Sequence, residues 1–415
     1  MANILEKIDP KDAVIATYYL ETDEDLTKVA EKMGWEETIG GQLDFDEMSE
    51  LLNSCVGRLH SVEEFEKGKG IVKILLPIKN MDYKNAPFAH IWMFIAGGPA
   101  FELTSYKKIR LLDIQPPPEL MKYFPGPLLG IKGFRKYLGV DDDTLLLGAI
   151  VKPCCGLTEE EVAEFIYESA MAGVHLIKDD EKMNNVEYCQ LAKRTKLVHE
   201  KLNQVKETTG MKPLYVTNVT TRPDKILDNA RIARDNGAEG LMLNMFAAGF
   251  DSIAILREAP DINLPIYIHS GTRSALGRVE GQGIELNVIA KFARYLGGDF
   301  FRTGIYGGYC VGTQEQFDTA NRSLQESIPG IMDTIPTLSG GLRAGHMPMN
   351  IKLSGLDVVY MAGSSYAGHP MGTKAGVKAF VQAAEAYHQG IQIEKYAESH
   401  PELKAAIDKW GYSNA

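Results

Sequence analysis

From Leu145 onward the sequence alternates regularly between short apolar runs and longer amphipathic runs. Each apolar run predicts a strand and is followed by a predicted helix. Eight such units in about 240 residues are typical of a (β/α)₈ barrel, the TIM-barrel form of the α/β class. A doubly wound parallel sheet is the alternative, although that fold seldom needs eight consecutive units. The predicted strands are Leu145–Val151, His175–Lys178, Leu214–Val219, Gly240–Asn244, Ile266–His269, Asp299–Thr303, Thr334–Leu338 and Val358–Ala362.

The residues before the barrel mix strands and helices without regular alternation, which predicts a small α+β domain. A proline-rich stretch that includes Phe124–Pro127 then follows and predicts a domain boundary. We therefore expect an N-terminal α+β domain over residues 1–125 and a catalytic barrel domain over residues 126–415. The predicted N-terminal strands are Ala13–Tyr19, Ile71–Leu76, Ala89–Ala96 and Lys108–Ile114, with a helix over Asp23–Met33.

Composition excludes several classes of function. The net charge of −11 disfavours a nucleic-acid surface, although a small anionic substrate remains possible because local basic groups decide that. The five cysteines include no CxxC pair and no zinc-like spacing with histidine, which favours a reducing compartment. No apolar run approaches the roughly 18 residues of a membrane span. These features predict a cytoplasmic protein that binds neither membranes nor nucleic acids.

The end of the second predicted strand concentrates charge in Lys178-Asp179-Asp180-Glu181. Strand alternation sends Lys178 and Asp180 to one side and Asp179 to the other. In a barrel, residues at the carboxyl ends of strands face the active-site mouth, whereas elsewhere such a cluster is usually a surface ion pair. Carboxylate oxygens suit a hard cation such as Mg²⁺, which an unmodified ammonium would repel. A lysine that had reacted with CO2 would instead supply an anionic carbamate oxygen.

This four-residue motif resembles the metal motif of the RuBisCO large-subunit superfamily, and further motifs follow in the same order over nearly the whole chain. The resemblance implies Mg²⁺ held by Asp180, Glu181 and the carbamate of Lys178. Lys152, in a Val-Lys-Pro element after strand one, matches a lysine that moves protons during enolisation. His269 matches an active-site histidine near the metal. Lys152, Lys178 and His269 are therefore the predicted catalytic residues.

Two glycine-rich turns follow strands seven and eight, Ser339-Gly340-Gly341 and Gly363-Ser364. Each could be ordinary turn chemistry. As a pair they stand where barrels commonly bind phosphate through backbone N–H groups. They also match the phosphate loops of the family.

The sequence departs from the carboxylases of this family at several positions. Tyr309 replaces the loop lysine that orients CO2, and Ser270 replaces an arginine that holds a substrate phosphate. Cys154 stands where carboxylases have a second lysine. Gly98 lies in a loop that reaches a neighbouring subunit's site, where carboxylases have an asparagine and the methionine-salvage enolase branch has a base lysine. Gly98 therefore disfavours the specific activity of that enolase branch. Tyr309, Ser270 and Cys154 predict a RuBisCO-like protein of the form IV branch that does not fix CO2.

Two arginines, Arg273 and Arg302, occupy positions where carboxylases have histidines. They favour a substrate with a second anionic group, because guanidinium suits phosphate or carboxylate. We expect Mg²⁺-dependent enolisation or isomerisation of a phosphorylated keto-sugar-like substrate through an enediolate. Decarboxylation of a β-keto acid sugar phosphate and a metabolite-binding barrel without turnover are the alternatives. The resemblance also implies a homodimer or a larger homo-oligomer, since the family's site is shared between subunits.

Overall fold

The computed structural model describes residues 8–40 and 48–413, which divide into two compact units. The first unit contains the described residues up to Pro125 together with Thr272–Tyr295. The second contains Gly126–Gly271 and the described residues from Leu296 onward. No helix among these residues is both long and apolar enough to cross a membrane.

The first unit is built on a five-stranded sheet. Its strand order is Gly283–Ile284, Lys108–Gln115, Ala13–Glu21, Lys69–Pro77 and Arg58–Glu66. The first two strands pair in parallel, and the remaining neighbours are antiparallel. Alternate residues of the central strand are buried, as expected for a sheet with one face packed on a core. The helices are Leu26–Ile39, Glu50–Cys55, Pro87–Ala96, Pro99–Glu102, Pro118–Met121, Arg273–Gly277 and Leu286–Tyr295, with 3₁₀ turns at Pro10–Asp12 and Ile78–Asn80.

One predicted N-terminal strand is wrong, and another strand is missing from the prediction. Ala89–Ala96 lies in the helix Pro87–Ala96, which has proline in its first turn and buries Phe88, Ile91 and Ile95 at helical spacing. The run is apolar on nearly every side, so its sequence shows no helical period. Arg58–Glu66 is an edge strand with mostly exposed residues, and it therefore lacks the apolar signal of a buried strand.

The second unit is a closed barrel of eight parallel strands, which confirms the predicted fold of a (β/α)₈ barrel preceded by an α+β domain. Each strand pairs with the next, and strand eight pairs with strand one. In chain order, strands one to eight are Leu146–Ile150, Leu176–Lys178, Leu214–Asn218, Gly240–Asn244, Ile266–His269, Phe300–Thr303, Ile335–Leu338 and Val359–Ala362.

Large apolar side chains fill the barrel interior. Leu176, Tyr267 and Phe300 contribute to this core, and Phe134 packs against it from the helix that precedes strand one. A filled interior confines any ligand site to the strand ends. The helices of this unit are Gly130–Leu138, Glu159–Met171, Leu191–Thr209, Ile226–Asp235, Met245–Ala248, Asp251–Glu258, Gln314–Gln325, Met347–Ser354, Ser364–Ala367, Thr373–His388, Ile393–Ala397 and Pro401–Trp410, with 3₁₀ turns at Pro223–Lys225 and Ala344–His346.

Candidate active site

A cavity of about 250 Å³ lies at the carboxyl ends of the barrel strands. Arg273, a predicted site residue, begins the helix Arg273–Gly277 of the first unit, and its role stays a prediction. The other predicted site residues all line the cavity. They are Lys152, Lys178, Asp180, Glu181, His269, Arg302, Ser339, Gly340, Gly341, Gly363 and Ser364.

Lys178, the last residue of strand two, is almost completely buried. Its Nζ donates a hydrogen bond to the Asp179 carbonyl at 2.8 Å and lies 3.8 Å from a Glu181 carboxylate oxygen. Burial lowers the pKa of Lys178 to about 8, although the charges of Glu181 and Asp180 oppose the change. A larger fraction of this amine is therefore neutral near pH 7 than for an exposed lysine, and the neutral amine is the form that reacts with CO2.

Asp179 points away from the cavity, as strand alternation predicts. Its carboxylate accepts hydrogen bonds from the Tyr215 hydroxyl at 2.6 Å and the Asn218 backbone N–H at 2.9 Å. The Arg194 guanidinium forms an ion pair with it at 3.1 Å. Asp179 thus ties the end of strand two to strand three and to the helix Leu191–Thr209, which fixes the backbone on which Lys178 stands.

Lys152 and Asp180 form an ion pair across the ends of strands one and two. Burial alone would lower the pKa of Lys152, but the hydrogen bond and charge of Asp180 outweigh it and raise the pKa. The predicted proton carrier is therefore in direct contact with a predicted metal ligand.

His269, the last residue of strand five, faces Glu181. Its Nδ1 accepts a hydrogen bond from the Gly271 backbone N–H at 3.1 Å, and its Nε2 lies 3.5 Å from a Glu181 oxygen. Burial, together with the nearby charges of Lys178 and Arg302, lowers the pKa of His269 well below its ordinary value. The ring is thus neutral with its proton on Nε2, directed at Glu181.

Asn218, at the end of strand three, holds the turn that carries the predicted metal ligands. Its side-chain amide donates to the carbonyls of Asp180 at 3.3 Å and Glu181 at 3.2 Å and to Asn184 Oδ1 at 2.9 Å. The sequence analysis missed this residue. The available signal was an amide side chain at a barrel strand end, in the strand beside the charged motif.

The turn after strand seven requires glycine at two successive positions. Gly340 and Gly341 have φ values of 122° and 96°, which favour glycine. A Cβ on Gly340 would lie 2.1 Å from the Cys310 sulfur, and one on Gly341 would lie 2.8 Å from the Tyr309 ring. The turn is therefore closely fitted to the loop after strand six, and it also lines the cavity.

Arg302 brings a guanidinium from strand six into the cavity. Its Nε donates to the Ser339 hydroxyl at 3.0 Å, and one Nη lies 3.1 Å from the Cys310 sulfur. Ser270 and Tyr309, which the resemblance predicts to replace carboxylase cations, have neutral side chains. The Ser270 hydroxyl donates to the Arg302 carbonyl at 2.8 Å, and the Tyr309 side chain is 80% exposed.

Arg343 and Trp410 also line the cavity, and the sequence analysis missed both. Arg343 follows the glycine turn after strand seven, and Trp410 ends the helix Pro401–Trp410. An arginine two residues beyond a predicted phosphate turn was a readable signal. Nothing in the local sequence indicates that the C-terminal helix ends at the cavity.

The side chains around Lys178 determine whether the site can hold a metal ion. Over residues 8–40 and 48–413, no cluster of three or more His, Cys, Asp and Glu side chains could hold an ion. Asp180 and Glu181 offer two carboxylates, and the Lys178 ammonium beside them is repulsive to a cation. Carbamylation would exchange that positive charge for anionic oxygen. The residues therefore fit Mg²⁺ once Lys178 carries CO2.

Two family models cover nearly all of the chain. The catalytic domain of the ribulose bisphosphate carboxylase large chain matches residues 130–410, and its N-terminal domain matches residues 5–120. A ribulose bisphosphate carboxylase of Pyrococcus abyssi is 32% identical over 404 residues, covering 97% of this chain and 94% of the relative. A 2,3-diketo-5-methylthiopentyl-1-phosphate enolase of Geobacillus thermodenitrificans is 31% identical over 419 residues, covering 96% and 98%.

The similar solved structures likewise include both carboxylases and rubisco-like proteins. The octameric carboxylase/oxygenase of Pyrococcus horikoshii superposes with a TM-score of 0.89 at 30% identity, covering 99% of this chain and 96% of the other. A rubisco-like protein of Alicyclobacillus acidocaldarius gives 0.85 at 29% identity, covering 96% and 100%. With both domains matched in order and the predicted motifs gathered at one cavity, the chain belongs to the ribulose bisphosphate carboxylase large-chain family.

Proposed function

We propose that this protein is a RuBisCO-like protein of the form IV branch. It catalyses Mg²⁺-dependent enolisation or isomerisation of a phosphorylated keto-sugar-like substrate through an enediolate, without fixing CO2. One observation carries the proposal. The predicted metal ligands Lys178, Asp180 and Glu181 line the same cavity as Lys152 and the turns after strands seven and eight. Ser270 and Tyr309 have neutral side chains at positions where the resemblance places cations in carboxylases.

In enolisation, separate residues bind the metal, transfer the proton and bind the phosphate. Asp180, Glu181 and the carbamate of Lys178 would hold Mg²⁺, which supplies positive charge to stabilise an oxyanion. Lys152 accepts the proton from the carbon beside the substrate carbonyl, as the free amine released from Asp180. His269, neutral and protonated on Nε2, orients the Glu181 carboxylate. The turns at Gly340-Gly341 and Gly363-Ser364 bind the phosphate through backbone N–H groups.

Overall sequence identity does not distinguish a carboxylase from an enolase activity for this chain. The Pyrococcus abyssi carboxylase and the Geobacillus enolase are 32% and 31% identical to this chain. Both names describe phosphorylated sugar-like substrates, which supports that substrate class here. The choice of enolisation over carboxylation depends on Ser270, Tyr309 and Cys154. Each is uncharged where the resemblance places a cation in carboxylases.

A second candidate, decarboxylation of a β-keto acid sugar phosphate, is favoured by Arg302. Among the described residues no carboxylate pairs with this guanidinium, so it is available to a second anionic group on the substrate. A carboxylate leaving as CO2 would also pass through the enediolate that the site stabilises.

We also propose that the protein is a homo-oligomer. Structures of relatives are described as an octamer from Pyrococcus horikoshii and a dimer from Hyperthermus butylicus. The acidic balance of the chain supports a small-molecule ligand rather than a nucleic acid as its partner.

Proton exchange tests the proposal directly. The purified protein, with Mg²⁺ and bicarbonate in deuterated buffer, is incubated with a panel of ketose phosphates and β-keto acid sugar phosphates. Proton NMR should show deuterium entering beside the carbonyl of at least one compound, and a Lys178→Ala control should show none. Loss of CO2 without exchange would favour the decarboxylase. Calorimetric binding of these compounds without any turnover would favour the metabolite-binding alternative and contradict the enolase assignment.

A further inference from the structure

The C-terminal helix and the residues after it contact the segments that follow the two glycine-rich turns of the cavity. The Trp410 carbonyl accepts a hydrogen bond from Nη1 of Arg343 at 3.1 Å. The Ser413 backbone N–H donates to the Gly345 carbonyl at 3.1 Å, so a second contact reaches the loop after strand seven. Lys409 Nζ donates to the Gly368 carbonyl at 2.6 Å, in the loop after strand eight. We call these three contacts the C-terminal clamp.

Arg343 has no carboxylate partner among the described residues, and its hydrogen bond to Trp410 occupies only one nitrogen. Nε and Nη2 remain as donors in the planar arrangement that suits phosphate oxygens. Two guanidiniums among the described residues that line the cavity, Arg302 and Arg343, have no carboxylate partner, although the chain has a net charge of −11. These two unpaired cationic groups indicate an anionic ligand.

The position of Arg343 relates it to the phosphate rather than to the metal. It lies two residues beyond Gly341, whereas Lys152 and Lys178 are engaged by Asp180 and Glu181. Tyr309, whose ring packs beside Gly341, contributes only a neutral hydroxyl. Arg302 already bonds the Ser339 hydroxyl at the start of this turn, and Arg343 adds a second guanidinium beyond its end.

We propose that Arg343 is a substrate-binding residue that contacts the phosphate group and that the C-terminal clamp positions it. The inference rests on the phosphorylated substrate class of the proposed function and adds a residue and a segment to it. The C-terminal helix thereby forms part of the ligand site, since its last carbonyl fixes the orientation of the guanidinium.

Binding of inorganic phosphate to the full chain tests the role of Arg343 without turnover. Calorimetric titration should show an affinity about tenfold to a hundredfold lower in Arg343→Gln than in the parent protein, the usual effect of losing a hydrogen bond to a charged group. Arg343→Lys should recover part of the loss. Arg222→Gln is the matched control, because Arg222 is exposed, pairs with Asp224 and does not line the cavity.

Two outcomes would overturn the role of Arg343. One is a parent protein that does not bind phosphate, and the other is an Arg343→Gln variant that binds phosphate with unchanged affinity. Because neither measurement needs a substrate to react, failure here differs from failure of the proton-exchange experiment.

The clamp is tested by coupling. The double variant Lys409→Met/Ser413→Pro removes two of the three contacts and leaves the Trp410 carbonyl on the chain. It should weaken phosphate binding severalfold in the parent and have little further effect in Arg343→Gln. Lys404→Met, on the same helix and paired with Asp408, controls for the lost positive charge. Equal losses in both backgrounds would show that the clamp acts independently of Arg343 and would overturn its positioning role.

Discussion

Arg194 and Asp179 form an ion pair with no solvent exposure, with Nη2 and the carboxylate oxygen 3.1 Å apart, behind the strand end that carries Lys178 and Asp180. Replacing Arg194 with Met would leave the Asp179 charge buried without its cationic partner. We expect the free energy of unfolding to fall by about 3–5 kcal/mol, as for other broken buried pairs. Urea unfolding followed by circular dichroism measures this change.

A surface pair provides the matched comparison. Arg231 and Asp261 are 2.9 Å apart, with side chains about 40% exposed, and Arg231→Met should leave the unfolding midpoint nearly unchanged. An equally small effect of Arg194→Met would show that hydrogen bonds from Tyr215 and Asn218 suffice to hold Asp179.

Carbamylation of Lys178 should be visible and required. Crystals grown with bicarbonate and Mg²⁺ should show added density on Nζ, with the cation bound by that group, Asp180 and Glu181. Lys178→Arg should bind neither CO2 nor Mg²⁺ and should be inactive. A bare amine in such crystals, together with full activity in CO2-free buffer, contradicts the assignment.

Lys152→Ala should abolish most proton exchange and retain metal binding. A positioned acid–base group contributes roughly 10²–10⁴-fold in rate, so exchange at the substrate carbon should fall by that factor. Mg²⁺ binding, measured by calorimetry in the presence of bicarbonate, should persist because Lys152 is not a proposed ligand. Exchange at a near-parental rate would place the base elsewhere.

The protein should not carboxylate ribulose bisphosphate. Tyr309 offers a neutral hydroxyl where carboxylases use a lysine to orient CO2, and loss of one preorganised charged contact costs roughly 3 kcal/mol or more. Ser270, whose hydroxyl is already engaged by the Arg302 carbonyl, removes a phosphate partner. Incubation with ¹⁴C-bicarbonate and Mg²⁺ should leave no acid-stable label above a Lys178→Ala control. Label above that control would show that the protein is a carboxylase and contradict this prediction.

Acid should destabilise the barrel through His175. Its Nδ1 accepts the Leu147 backbone N–H at 3.1 Å, and burial, aided by the Arg135 charge, lowers the pKa of His175 to about 4. The unfolded chain, with a histidine pKa of about 6.5, takes up the proton first as the pH falls. The free energy of unfolding should therefore decline from about pH 6.5 to pH 4, by roughly 3 kcal/mol in total.

A variant isolates this contribution from that of the carboxylates. The Asn side-chain oxygen in His175→Asn can accept the same N–H without titrating. Urea unfolding at several pH values should show the stability advantage of the parent protein shrinking between pH 6.5 and pH 4. Parallel curves for the two proteins would exclude His175 as the cause.

The barrel could be predicted because its strands are buried on both faces and appear in the sequence as apolar runs between amphipathic helices. The helix Pro87–Ala96 could not, since it is apolar nearly all round. Arg194 and Arg343 were also missed. Their importance depends on contacts with Asp179 and Trp410, which are distant in sequence or on another element, and only the folded chain brings them together.

Trp410 gives the cavity an optical reporter. The chain has three tryptophans, and the other two, Trp35 and Trp92, belong to the first unit. Replacing both with Phe would leave one indole, that of Trp410, which lines the cavity beside Arg343. Its emission would then follow ligand arrival and departure on the stopped-flow timescale, without labelling, for any compound in the panel.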